Sequence, residues 1–225
     1  MTTLASPVTR PSLAGIITAA IAVPLIILIF ESFASPDAHT NGFILAREFS
    51  ILLFTVLFLY WMTNTEKNPL SSIGLHSRHW GKSLLLALII LIACFLVAGL
   101  TLFIFSKTGI AFGEGKEAQR FSNISPFVLF LMVFRAGLVE EIFYRGYLME
   151  RLEKLTGNWV IYFLLPLILF AAWHYRQGAG GIIISFLLGA VLAYAYWKKR
   201  DLKANIIAHF MADFIPNIIL PLLSD

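Results

Sequence analysis

Glu140 and Glu141 stand side by side in an apolar segment, residues 125–148, with Arg145 four positions after the second acid. One charged side chain at the centre of a membrane span costs about 2.5–3.5 kcal/mol on insertion scales. A cluster of three is therefore a functional-site signal by default. Two further polar intrusions follow in apolar runs, His174 and the pair His209/Asp213. Carboxylates in unequal settings beside imidazoles are the groups of acid–base catalysis.

Taken as an α-helix at about 100° per residue, the segment places Glu141 and Arg145 on one face as an i,i+4 pair, acid before base, the favourable order. Glu140 is rotated away from that pair and is expected to be free. The turn Thr156-Gly157-Asn158 predicts an antiparallel hairpin. Glu140 lies 17 residues before Gly157 and His174 lies 17 after it, so both should reach one depth. The charged stretch 150–154 puts the tip in the cytoplasm, with Glu140 about 13 Å inside the apolar layer at 1.5 Å per residue. His209 and Asp213 share a helix face, six residues or more past Lys203. The expectation is one water-accessible cavity, opening to the cytoplasm, that gathers Glu140, His174, His209 and Asp213. Each group also has a plainer reading: Glu141 with Arg145 as a structural ion pair, each His as a bridge between helices, and Asp213 as an orienting or capping group.

The elements that must position these groups are membrane spans. Hydrophobic residues make up 59% of the 225-residue chain and charged residues 13%, half the usual share of a soluble domain. Apolar runs at 13–30, 43–62, 83–105, 125–148, 159–175, 181–197 and 205–223 predict an all-α polytopic transmembrane bundle of about seven spans. No repeat or linker divides it, so residues 1–225 are expected to form a single transmembrane domain. The one cysteine, Cys94, has no partner for a disulfide and reads as a small core residue. The first run, with Arg10 before it and Ser32-Phe33-Ala34 after it, resembles a signal peptide. Its 18 apolar residues exceed the usual signal core, and it is expected to stay as an anchor.

With the N-terminus inside, ten Lys and Arg fall on cytoplasmic connections and five on the opposite side, Arg47, Lys107, Lys116, Arg120 and Arg176. The expected location is a bacterial-type plasma membrane with a cytoplasmic N-terminus. Topology and anionic lipid account for the net charge of +4, so nucleic acid is not expected as a partner. Connections 63–82 and 106–124 carry no chemical signature. His76 and His79 in the first are expected to be solvated, since no carboxylate or cysteine joins them at ligand spacing.

Glu140-Glu141-x-x-x-Arg145, Phe170-x-x-x-His174 and His209-x-x-x-Asp213, in that order, resemble the CAAX protease and bacteriocin-processing family, the type II CAAX prenyl endopeptidase-like or ABI family. The resemblance covers about residues 126–216 and includes the Arg-Gly-Tyr-Leu that follows the paired acids. It implies an intramembrane endopeptidase acting on a membrane peptide or lipidated protein. Glu140 would be general base, His174 would help to hold the water, and His209 with Asp213 would stabilise the oxyanion. Glu141, Arg145 and Phe170 would support them. Where the eukaryotic prenyl endopeptidase has Asn this chain has Asp213, which must be protonated or act by orienting His209. No metal or other cofactor is expected. A zinc alternative would use Glu140, His174 and His209, although the His-Glu-x-x-His spacing of zincins is absent. The competing readings are a non-hydrolytic bacteriocin-immunity or binding protein and a small proton-coupled transporter. A proton relay needs a carboxylate path through both halves of the membrane, whereas the polar residues are expected to cluster in the cytoplasmic half.

Overall fold

The computed structural model describes residues 12–33, 40–76, 80–111 and 124–224. Among these there are helices and no strands: α1 Leu13–Phe33, α2 Asn41–Asn64, α3 Trp80–Thr108, α4 Pro126–Arg135, a π-helical segment Ala136–Met149, α5 Glu150–Thr156, α6 Trp159–Ala172, α7 Gly178–Lys199, α8 Leu202–Phe214 and, after a π-helical turn Ile215–Ile219, α9 Leu220–Ser224. The expected all-α polytopic bundle is what forms. Five helical stretches are long and apolar enough to cross a membrane, namely Leu13–Phe33, Asn41–Asn64, Trp80–Thr108, Tyr175–Lys199 and Leu202–Leu223. The two remaining expected spans, at 125–148 and 159–175, are the ones that carry the paired acids and His174. Their departure from a regular apolar helix is the local signature of the site.

Local chemistry sets the boundaries. The Ser125 hydroxyl accepts from the Val128 amide and Pro126 occupies the first turn of α4, where a missing N–H costs nothing. Gly157 ends α5 in the left-handed region, φ 61°, and the Asn158 side chain accepts from the Val160 amide to start α6, so the expected hairpin tip is present. Asp201 caps α8 through the Ala204 amide.

Packing brings α8 onto α3 and onto the π segment, and α7 onto α6. A Cβ on Gly137 would lie 2.8 Å from the backbone N and Cα of Phe210, so only glycine lets the π segment and α8 approach this closely. Phe58 seals the other side, with ring centroids 4.9 Å from Phe143 and 4.8 Å from Tyr147. The outward Leu, Ile and Phe side chains of α3 remain exposed, as a lipid-facing surface requires.

α6 has 14 residues. At 1.5 Å per residue it reaches about 21 Å, short of a ~30 Å hydrocarbon core. It runs from the tip at Gly157 to the turn 173–177, so those two features lie at opposite ends of one helix. His79 lies outside the described residues, and His76 is exposed. The prediction is that in a Cys94→Ser background Leu155→Cys, beside the tip, and Gln177→Cys, in the far turn, react with an impermeant maleimide from opposite faces of oriented vesicles. Labelling of both from one face would show that α6 does not cross.

Candidate functional site

The π segment decides what each acid of the pair meets. In a wide turn with i→i+5 hydrogen bonds, residues four and five apart fall on neighbouring faces, and both spacings are used. Arg145 Nη1 donates to Glu141 Oε1 over four positions at 2.7 Å. Arg135 Nη1 donates to Glu140 Oε1 over five positions at 3.1 Å. The expectation that Glu140 is free is thus corrected: it has an arginine of its own, which an α-helical reading does not bring to it.

Glu141 has no solvent exposure and joins the π segment to α8. Its Oε1 also faces His209 Nδ1 at 2.8 Å, and its Oε2 accepts from Asn205 Nδ2 at 3.1 Å. Arg145 Nη2 donates to the Gly189 carbonyl at 3.0 Å, and its guanidinium lies 4.3 Å from the Phe170 ring centroid. Its charge is met by a carboxylate, a carbonyl and a π face, as burial demands.

Glu140 faces the other way, with its side chain 17% exposed. It lines a cavity of about 200 Å³ together with Arg135, His174 and Arg176. Tyr144, Phe170 and Trp173 form part of the wall, and α1 supplies Val23, Pro24, Ile27 and Leu28. His174 Nδ1 lies 2.9 Å from the Phe170 carbonyl. A carbonyl only accepts, so Nδ1 carries the proton and, in the neutral ring, Nε2 keeps the lone pair. The His174 ring rests against Phe170, 4.9 Å between centroids.

The equal-depth argument for Glu140 and His174 holds in that both face one cavity. Tyr175, Arg176 and Gln177 line the cavity too, so it sits at the end of α6 away from the Gly157 tip.

His209 and Asp213 are not part of the cavity lining. His209 lies behind Phe170, 6.1 Å between ring centroids, with Nε2 3.5 Å from Asp213 Oδ2. Its two nitrogens both face carboxylates. No three His, Cys, Asp or Glu side chains among the described residues are grouped as a metal-ligand set, and of Glu140, His174 and His209 only the first two line the cavity.

Several participants were not singled out from the sequence. Glu48 has no solvent exposure, and Arg47 and Arg135 are 6% and 7% exposed. Arg47 Nε and Nη2 donate to Glu48 Oε1 at 2.9 and 2.8 Å, and Arg135 Nε donates to Glu48 Oε2 at 2.6 Å. Arg47-Glu48 is an adjacent charge pair inside an apolar run, the same signal that marked Glu140. Near the tip Tyr147 donates to Glu66 Oε1 at 2.7 Å, and Arg151 Nε lies 3.5 Å from Glu66 Oε2.

Glu141→Gln and Arg145→Met are each expected to cost about 3–5 kcal/mol, because each leaves a buried partner charge unmatched, while the double variant costs less than the sum. Thermal unfolding in detergent checks this, and wild-type stability in either single variant would show the pair to be dispensable.

Residues 122–215 match the family model described as Rce1-like, type II CAAX prenyl endopeptidase Rce1-like. No curated protein and no solved structure matches the chain. The matched stretch contains all three motifs, and the resemblance read from them is borne out: residues 122–215 are similar to the type II CAAX prenyl endopeptidase Rce1-like family.

Proposed function

We propose that this protein is an intramembrane endopeptidase in which Glu140 activates a water for attack on a peptide bond of a membrane-associated or lipidated substrate. The observation that carries the reading is the joint presence of Glu140 and His174 on one cavity with an apolar wall from α1. The carboxylate takes a proton from water while its oxygen attacks the carbonyl carbon, and the same proton passes to the leaving amine as the C–N bond breaks. His174 Nε2, free to accept, holds the second hydrogen of that water. Arg135, already at the cavity wall, offers positive charge to the tetrahedral oxyanion. His209 and Asp213 enter the proposal as a positioning pair: Asp213 orients His209, His209 holds Glu141, and Glu141 is the neighbour that fixes the backbone under Glu140.

The apolar wall suits a substrate whose lipid or hydrophobic side chains stay in the membrane while the scissile bond reaches the polar end, consistent with the prenyl endopeptidase named by the family match. A proton relay is disfavoured because the buried carboxylates Glu48 and Glu141 are each held by arginine. Glu48 and Glu141 also have no solvent exposure and so no open face from which to exchange a proton, whereas Glu140 is partly open to the cavity.

Glu140→Gln is expected to abolish cleavage of a farnesylated, quenched-fluorescence peptide ending in a Cys-aliphatic-aliphatic-X sequence, while the protein still folds and inserts. Retention of more than about a tenth of wild-type turnover would remove Glu140 as base, since general-base catalysis is worth about 10²–10⁴-fold. Exhaustive chelation, with metal content checked by elemental analysis, is expected to leave the rate as it was. Activity lost with stoichiometric zinc and regained on its return would replace the carboxylate mechanism.

A further inference from the structure

Arg135 has two carboxylates on it, and the second comes from a helix outside the matched segment. Glu48 on α2 accepts from Arg135 Nε at 2.6 Å while Glu140 accepts from Arg135 Nη1 at 3.1 Å. The contacts continue away from the cavity as an alternating row. Arg47 holds Glu48 by two donors and reaches Glu31 Oε1 on α1 at 3.1 Å, and Glu31 Oε2 accepts from Arg176 Nη2 at 3.2 Å. Three arginines and three glutamates thus run from the α6–α7 turn through α1 and α2 to Glu140, and their formal charges cancel.

We infer that Glu48 is a positioning residue for the proposed reaction, acting through Arg135 to set where the Glu140 carboxylate points on the cavity wall. This rests on the reading of Glu140 as base. The geometry argues for it in two ways. Glu48 has no solvent exposure and both of its oxygens are used, so its place is determined by two guanidinium groups and it cannot swing. Arg135 is planar, and its Nε and Nη1 donors diverge from one rigid fork, so a Glu48 bond at Nε fixes the direction of the Nη1 bond to Glu140. Glu140 is partly exposed to the cavity, and the Arg135 contact at 3.1 Å is what holds its carboxylate on the wall. Misplacing a reacting group by about 1 Å can cost about a hundred-fold in rate.

A structural role alone, the neutralising of a buried charge, makes a different prediction. Glu48→Gln leaves the row one negative charge short, whereas Glu48→Gln with Arg47→Gln restores the balance and keeps Arg135 in place. Turnover of the farnesylated quenched peptide is measured with KM and kcat separated, beside thermal unfolding in detergent and with Glu140→Gln as reference. The expected result is that Glu48→Gln lowers both unfolding temperature and kcat. The double variant should recover the unfolding temperature, with kcat still down about a hundred-fold and KM within about two-fold of wild type. Recovery of kcat together with stability in the double variant would overturn the positioning role and leave charge balance as the whole of it. A Glu140→Gln reference that still turns over would instead reject the base assignment, a separate failure from that of Glu48.

Discussion

Charge buried in an apolar bundle has to be neutralised where it stands, because neither water nor a flexible surface is there to do it. Two carboxylates without solvent exposure, Glu141 and Glu48, carry this constraint for the cavity region. Glu141 collects Arg145, Asn205 and His209 and so ties the π segment to α8, while Arg145 extends the tie to α7 through the Gly189 carbonyl. Glu48 collects Arg47 and Arg135 and ties α2 to the start of the same segment. The stretch bearing the adjacent acids is thereby anchored from both sides.

The two acids are adjacent in sequence and differ in surroundings because a π segment gives them different arginines. Glu141 is closed off among donors, and Glu140 is held by one arginine with its side chain partly open to the cavity. α6 supplies the opposite wall by being short. A helix of about 21 Å is shorter than a ~30 Å hydrocarbon core, and irregular backbone next to such a helix is tolerated where it lines a cavity or is covered by protein. The turn bearing His174, Arg176 and Gln177 does line the cavity, and the His174–Phe170 carbonyl contact orients the imidazole there.

α1 and α2 lie outside the matched segment, yet both reach the site. α1 supplies an apolar wall, and its Glu31 contacts Arg47 of α2 and Arg176 of the α6–α7 turn. α2 supplies Glu48. The matched stretch therefore holds the motifs, and the helices before it complete the enclosure and the charge balance.

Much was legible in the sequence. Hydropathy marked the helices because a membrane solvent admits few alternatives. The Gly157 tip, the Glu141–Arg145 pair and the shared depth of Glu140 and His174 followed from local spacing, since a helix places residues by count. Three things came only with tertiary structure. Arg135 reaches Glu140 because the helix there is π, and the choice between i→i+4 and i→i+5 is made by packing, with Gly137 against Phe210, rather than by local propensity. The cavity lies away from the tip because the length of α6 is set by where its chain turns back, which a continuous apolar run conceals. His209 points to Glu141, and Glu48 to Arg135, because ion pairs in the bundle form between helices 68 and 87 residues apart in sequence. Composition and periodicity determined which residues are costly to bury. Only the fold decided which charges meet across helices, Glu48 with Arg135 and His209 with Glu141, because that depends on distances between helices that no spacing along the chain encodes.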